Sequence, residues 1–247
     1  MTSSGSLRRG LLVPTAAAAC AFAVLIGLGT WQVQRKAWKE ALIATVSERF
    51  AAPPVALPPP AAWARLDRDA DEFRRVRFAA DLLNDKEALV FTTGSSLHGG
   101  DAGPGYWVFV PARVADRVVM VNRGFVPEGR QDAATRPQGQ IVGRVEIVGV
   151  MRWPERPGLF TPAAEPAKNL WFAREPAAMA EAKGLGPVAP FYVEQESPPA
   201  PGGLPRAGKL QPTFPNNHLG YALTWYGLAL VLAGSFSVWF VGRRRGG

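Results

Sequence analysis

Two long apolar segments frame the chain, and the pattern between them is that of a water-soluble domain. The segments cover residues 11–31 and 218–241, and neither contains Asp, Glu, Lys or Arg. Each has roughly the 20 residues that a helix needs to cross a bilayer. We therefore predict two transmembrane helices, a helical extension over residues 32–50 and an extramembrane domain over residues 51–217.

The helical extension has a periodic apolar stripe and a clear end. Trp31, Trp38, Leu42 and Val46 are spaced by seven, four and four residues, which places them on one face of a helix. The proline-rich stretch 51–62 then predicts the end of the helix and an extended connector.

The domain is predicted to be mainly β. Segments rich in Val, Ile, Phe and Tyr, separated by Gly, Pro, Asp or Asn, cover residues 73–79, 88–93, 106–110, 117–123, 141–151 and 191–194. One short helix is predicted over residues 176–183, with Pro in its first turn and Gly184 after its end. The fold class is therefore a membrane-anchored α+β protein, whose domain is a small barrel or a strongly twisted antiparallel sheet.

Two stretches of the domain have specific predictions. The stretch 121–127 is typical of a strand that ends in a tight turn at Gly124. The stretch 65–75 interleaves four acidic residues with arginines, a pattern typical of a solvated face.

The formal charge of +8 lies mainly outside the domain. Residues 1–49 carry a net +4, residues 50–217 a net +1, and Arg243, Arg244 and Arg245 the remaining +3. A nearly neutral domain argues against nucleic-acid binding, which needs a clustered basic face. The arginine triplet predicts cytoplasmic ends, residues 1–10 and 242–247, and a domain on the opposite side.

Arg8 and Arg9 precede the first segment and resemble the start of a signal peptide, but no small-residue cleavage site follows, so an uncleaved anchor is favoured. About ten residues precede the segment, too few for an organelle transit peptide. We therefore expect a multi-pass protein of a bacterial inner membrane with a periplasmic domain.

The domain lacks a recognisable catalytic constellation, so we expect no enzyme. Its one histidine, His98, lies in a glycine-rich loop, and no Gly-x-Ser-x-Gly, zinc-ligand cluster or phosphate loop is present. Cys20 is the single cysteine, so the chain cannot form an intrachain disulfide. Its position inside the first apolar segment indicates a packing role.

His218 stands where the second apolar segment begins. Pro215 precedes it, and Asn216 or Asn217 can cap the helix. A helix N-terminus favours a neutral imidazole, which is the form that binds metals. Tyr221, Ala222 and Trp225 share its helical face and can line a flat macrocycle. The alternative is that His, Tyr and Trp collect here only because amphipathic rings favour a membrane interface.

Six motifs occur in order along the chain. They are residues 29–36 with Trp38 and Lys39, residues 105–107 with Pro111, residues 121–127, residues 139–141, residues 171–174 with Met179 and Ala180, and residues 217–219 with Tyr221 and residues 224–227. Together these motifs resemble the Surfeit locus family of cytochrome c oxidase assembly proteins, and the resemblance covers nearly the whole chain.

The resemblance implies an assembly factor that transiently binds haem a and assists its insertion into the oxidase catalytic subunit, in contact with the haem a synthesis machinery. The histidine implicated in haem binding in the family corresponds to His218, so the resemblance implies that His218 is the axial ligand of the haem iron. Arg35, Lys36 and Lys39 either hold the haem propionates or are solvated interfacial cations. Gly27, Gly29 and Gly220 can permit close helix approach. The alternative function is a cofactor-free adaptor that stabilises an unfinished oxidase subunit.

Overall fold

The computed structural model describes residues 4–94, 103–208 and 216–245, with side chains from Leu12 onward. The chain divides into two compact units, one made of residues 1–45 and 213–247 and the other of residues 46–212. His98 and Pro215, both named above, lie outside the described residues.

The first unit consists of two long helices, α1 over Ser4–Ala51 and α4 over His218–Arg245. The last six residues of α1 belong to the second unit. Both helices are long and apolar enough to cross a membrane, and only 6% of the most apolar window of each is buried. This exposure is what a helix facing lipid shows, in contrast to the core helix of a soluble protein. The predicted pair of flanking apolar helices is confirmed.

The proline-rich connector ends α1 as predicted. The helix stops at Ala51, just before Pro53 and Pro54, which have no N–H to continue the helical hydrogen bonds. The end of α1 is held within the second unit, because Arg49 donates to the carbonyl oxygens of Glu72 and Asp69 at 2.8 and 2.9 Å.

The described residues of the second unit form a β domain with eight strands and two short helices. The strands are β1 (Val55–Ala56), β2 (Arg75–Leu82), β3 (Ala88–Thr92), β4 (Gly105–Val114), β5 (Arg117–Pro127), β6 (Arg144–Arg152), β7 (Leu170–Trp171) and β8 (Val188–Ser197). The helices are α2 (Arg68–Asp71) and α3 (Pro176–Ala182). Short 3-10 turns cover Pro60–Arg65, Asn84–Lys86, Ala133–Thr135, Pro137–Gly139, Pro166–Lys168 and Pro201–Gly203.

Five strands close into a barrel. The hydrogen-bonded order is β2-β6-β8-β5-β4, and β4 returns to β2 through the pairs Asp81↔Arg113 and Leu82↔Ala112. β5 and β8 run parallel, and the other barrel pairs are antiparallel. β3 extends the sheet from β4, β7 pairs with β3, and β1 pairs with β2. Of the two predicted forms, the small barrel is confirmed.

Alternation along the strands separates two apolar layers. Phe191 and Val193 of β8 belong to a cluster to which all five barrel strands contribute, so this cluster fills the barrel. Tyr192, between them, points to a second cluster that includes Met179 of α3 and Trp171 of β7. The period of two therefore places α3 and β7 against the outer face of the barrel.

The structure corrects the predicted glycine turn. β5 continues through Gly124 to Pro127, so the chain does not turn there. Opposite β4 the register shifts between Trp107 and Phe109, which leaves an additional residue on β5 and forms a β-bulge. Gly124 has φ +121°, and a Cβ there would lie 2.2 Å from the carbonyl oxygen of Arg206. Glycine is needed at this position because the bulge has a positive φ and because a neighbouring backbone leaves no room for a Cβ.

Two other predictions are corrected in part. β6 begins at Arg144, three residues after the predicted start, because Gly143 has a positive φ of 85°. The charged stretch 65–75 is exposed at Asp67 and Asp69, but its second half is partly buried in ion pairs. Arg75 donates through Nε and Nη2 to Glu196 Oε2 at 2.9 and 2.8 Å. The two residues are 121 positions apart in the sequence.

Candidate functional site

α4 begins at His218, as the sequence predicted. The carbonyl of Asn217 accepts the N–H of Tyr221 at 3.3 Å, so Asn217 occupies the N-cap position. The side-chain Oδ1 of Asn216 is buried and accepts no hydrogen bond from the described residues, so it does not provide the cap. The imidazole is thereby placed in the first helical turn, where free backbone N–H groups point toward the helix start.

His218 contacts Gln32 on α1. Nδ1 of the imidazole lies 2.7 Å from Oε1 of Gln32, and the pair is partly buried. An amide oxygen only accepts hydrogen bonds, so the neutral ring must carry its proton on Nδ1 and donate it to Gln32. The lone pair is then on Nε2, the atom that remains for an electrophile.

The two helices approach closely one turn before Gln32. A Cβ on Gly29 would lie 2.6 Å from the ring of Tyr226, so only glycine leaves room for that ring. Thr30 donates its hydroxyl to the carbonyl of Ile26 at 2.9 Å, and the Tyr226 hydroxyl therefore donates to Thr30 Oγ1 at 3.2 Å. Ala222, which is 1% exposed, completes the close contact surface of α4.

The predicted role of the glycines is thus confirmed at one position. Gly29 permits the close approach, whereas added Cβ atoms at Gly27 and Gly220 would meet no atom of the described residues within 4 Å. Among these three glycines, only Gly29 lies at a close contact between the two helices.

The predicted aromatic neighbours of His218 differ in exposure. Tyr221 is 57% exposed and Trp225 is half-buried, whereas Ala222 is buried. Tyr221 and Trp225 follow His218 by three and seven residues on a continuous helix, so the three rings lie along one side of it.

Two of the predicted propionate-binding cations, Arg35 and Lys36, have partners on their own helix. The guanidinium of Arg35 lies 4.1 Å from the ring centroid of Trp38. Lys36 forms an ion pair of 2.7 Å with Glu40, and both side chains are substantially exposed. The role of these cations in binding a cofactor therefore stays a prediction.

Gln32 is the site residue that the sequence reasoning missed. It lies in the motif of residues 29–36, three residues after Gly29, so one helical turn places it on the same face as the close contact. A polar residue at that spacing from a glycine in a helix–helix contact is a usable signal. In the described part of the chain no three His, Cys, Asp or Glu side chains form a metal-binding group.

Together the fold and the site define a membrane-anchored protein with a β-barrel domain and a single oriented histidine at the start of its second apolar helix. The sequence model of the SURF1 family matches residues 19–230. A SURF1-like protein of Monosiga brevicollis is 36% identical over 232 residues, which cover 91% of this chain and 85% of that protein.

Two mammalian relatives match over a similar extent. The Surfeit locus protein 1 of Homo sapiens is 35% identical over 242 residues, which cover 93% of this chain and 75% of that protein. The Surfeit locus protein 1 of Rattus norvegicus is 35% identical over 229 residues, which cover 88% of this chain and 72% of that protein. The chain belongs to the SURF1 family, known as cytochrome c oxidase assembly factors.

Proposed function

We propose that this protein binds haem a through His218 and assists its insertion into the catalytic subunit of an aa3-type cytochrome c oxidase. Family membership supports the part in oxidase assembly. The contact between His218 Nδ1 and Gln32 Oε1, 2.7 Å long, is the observation that carries the haem proposal. It favours the Nδ1–H tautomer of the neutral ring, which leaves the Nε2 lone pair for iron, as second-shell acceptors do for metal-bound histidines.

The residues around His218 suit a flat, partly apolar ligand. Tyr221 and Trp225 offer ring surfaces along the same side of α4, and Tyr221 is more than half exposed. Haem a, when bound, supplies an iron that accepts the imidazole lone pair and propionates that pair with cations. One protein imidazole gives incomplete ligation, which suits a carrier that must release its cargo.

Arg35 and Lys36 can exchange their present partners for propionates at low cost. The ion pair between Lys36 and Glu40 is exposed and spaced by four residues, and such pairs contribute only about 0.3–0.5 kcal/mol. The stack of Arg35 on Trp38 leaves the in-plane N–H donors of the guanidinium available. Their part in binding rests on this exchange.

We further infer that the membrane is a bacterial inner membrane and that the barrel domain lies on its periplasmic side. Arg243, Arg244 and Arg245 end α4, and the positive-inside rule assigns that end to the cytoplasm. The inference is tested by single cysteines placed at Ser197 and Gly246 in a Cys20→Ser background. A membrane-impermeant maleimide should label intact spheroplasts at position 197 only. Labelling at position 246 alone would reverse the topology.

A cofactor-free adaptor is the second candidate function. A turn in the barrel domain, closed by hydrogen bonds between Gly158 and Thr161, presents Leu159 and Phe160 with 93% of each side chain exposed. Exposed apolar side chains of this size are typical of protein-binding sites. An adaptor would use such a surface to hold an unfinished subunit, and it would not need His218.

The two functions are separated by a visible spectrum. The full-length protein is purified in detergent from cells that make haem a, together with His218→Ala and the matched control His98→Ala. We expect a haem band in the natural protein and in His98→Ala, and its loss or displacement in His218→Ala. A band unchanged by His218→Ala removes this residue from the ligand role. The absence of a band in all three, with an oxidase subunit still co-purifying, supports the adaptor.

A further inference from the structure

The barrel domain buries two arginines, and one of them pairs with a buried carboxylate. The Arg136 side chain is 1% exposed, and its Nη2 lies 2.5 Å from Glu87 Oε1. Arg123, in β5, is also 1% exposed, and its Nη1 donates to the carbonyl oxygen of Gly139 at 2.6 Å. Arg123, Arg136 and Glu87 together carry two positive charges and one negative charge, so this cluster has an excess of one positive charge.

Several donors of these guanidinium groups have no acceptor among the described residues. They are Nη1 of Arg136, and Nε and Nη2 of Arg123. Burial, and then repulsion by Arg136, lower the pKa of Arg123 to about 10. A buried cationic donor without an acceptor is strongly destabilising, so an anion close to this cluster would compensate an existing cost.

A cavity of about 250 Å³ opens beside the cluster. Its wall is formed by the 3-10 turns Ala133–Thr135, Pro137–Gly139 and Pro201–Gly203, and Arg130 and Arg136 both line it. No Asp or Glu is among the described residues that line it. Arg130 is exposed and held by a hydrogen bond from its Nη2 to the carbonyl of Thr135 at 2.7 Å.

The turns keep this cavity in shape. A Cβ on Gly139 would lie 2.0 Å from the carbonyl oxygen of Leu204. The turn Pro137–Gly139 and the backbone just after the turn Pro201–Gly203 are therefore in close contact, and only glycine fits between them. Gly202, on the opposite wall, has a positive φ of 76°, which glycine adopts without strain. The backbone thus holds Arg130 and Arg136 at one opening.

We propose that this cavity is a binding site for a small oxyanion, a carboxylate or a phosphate, held by the guanidinium groups of Arg130 and Arg136. Planar guanidinium groups donate paired hydrogen bonds that match both kinds of anion. The charge excess supplied by Arg123 strengthens the potential at this opening, because the charge lies in a poorly solvated interior. The ligand is distinct from haem, and the site is built entirely from residues of the barrel domain.

Ligand-dependent unfolding of the full-length protein in detergent tests this proposal. Inorganic phosphate and succinate are the two probes, and sodium chloride of matched ionic strength is the control. At ten times the dissociation constant, one bound ligand should raise the melting temperature of a domain of this size by about 3–6 °C. A rise with phosphate alone assigns a phosphate site, and a rise with succinate assigns a carboxylate site.

Arg130→Gln is the informative variant, because Arg130 is exposed and the fold does not depend on its burial. It should weaken binding measured by titration calorimetry about tenfold, the effect of one charge-assisted hydrogen bond. The matched control, Arg117→Gln, removes an exposed arginine that does not line the cavity and should leave binding unchanged. No rise with either probe would show that the cavity holds only water. An equal rise in Arg130→Gln would show that the anion binds without Arg130. Either result would overturn the proposal.

Discussion

The contact between Gln32 and His218 makes a prediction that does not require haem. Replacing Gln32 by Leu removes the acceptor that lies 2.7 Å from Nδ1 while keeping a side chain of similar size. A partly buried neutral hydrogen bond contributes about 1 kcal/mol, which corresponds to a factor of about five in an equilibrium. We therefore expect Gln32→Leu to lower the ratio of the Nδ1–H to the Nε2–H tautomer about fivefold.

The ring nitrogens can be observed directly. The chain has only two histidines, so ¹⁵N-histidine labelling gives two imidazoles, and His98→Gln leaves the signals of His218 alone. The ¹⁵N shifts of a protonated and an unprotonated ring nitrogen differ strongly, and their averages report the tautomer ratio. The measurement is made on cofactor-free protein at a pH where the imidazole is neutral.

Gln32→Glu is the matched control. A carboxylate can only accept hydrogen bonds, so it should keep the proton on Nδ1. If Gln32→Leu leaves the tautomer ratio as it is in the natural protein, then Gln32 does not orient the ring. That result would remove the structural observation that carries the haem proposal, and only the visible spectrum of His218→Ala would then test His218 as a ligand.

Two glycines give the remaining predictions. Gly29→Ala should lower the melting temperature in detergent, because the new Cβ would overlap the ring of Tyr226. Gly27→Ala is the control and should leave the melting temperature unchanged, because no described atom lies within 4 Å of the added Cβ. An overpacked helix contact typically costs about 1–3 kcal/mol, and no difference between these variants would refute the close contact. Gly124→Ala should destabilise the barrel domain by more than about 2 kcal/mol, because the new Cβ meets the carbonyl of Arg206 at 2.2 Å and the backbone has φ +121°. Denaturant unfolding followed by tryptophan fluorescence measures this, with Gly186→Ala as control, and equal midpoints for the two variants would contradict it.

The sequence was sufficient to predict those helices and strands whose ends are determined by neighbouring residues. α3 begins at Pro176 and ends before Gly184, whose φ is 68°, as proline and glycine preferences require. The length of the two apolar segments alone was enough to predict α1 and α4, and the prolines after α1 predicted where it ends. The segments rich in Val, Ile, Phe and Tyr, separated by turn residues, also indicated the strands, which is why the barrel was among the predicted forms.

Long-range contacts explain what was missed. Gly124 in a polar context looks like a turn, and only the backbone of Arg206, 82 residues later, makes it part of a bulge. Arg123 looked like an ordinary strand residue, because the carbonyl of Gly139 that it contacts belongs to a turn outside the strand. Gln32 and His218 are 186 residues apart, so no local pattern could pair them. Each of these contacts depends on tertiary closure, which a single sequence does not encode in its local preferences.

The two proposed sites occupy different units of the protein, so their physical causes are separable. Both atoms of the contact that orients His218 belong to the helical unit, whereas every residue that lines the arginine cavity belongs to the barrel domain. Changes at separate sites without shared partners are additive in free energy. Arg130→Gln should therefore leave the His218 tautomer ratio unchanged, and Gln32→Leu should leave oxyanion binding unchanged. A departure from either expectation would show that an oxyanion in the barrel domain and the imidazole on α4 are energetically coupled.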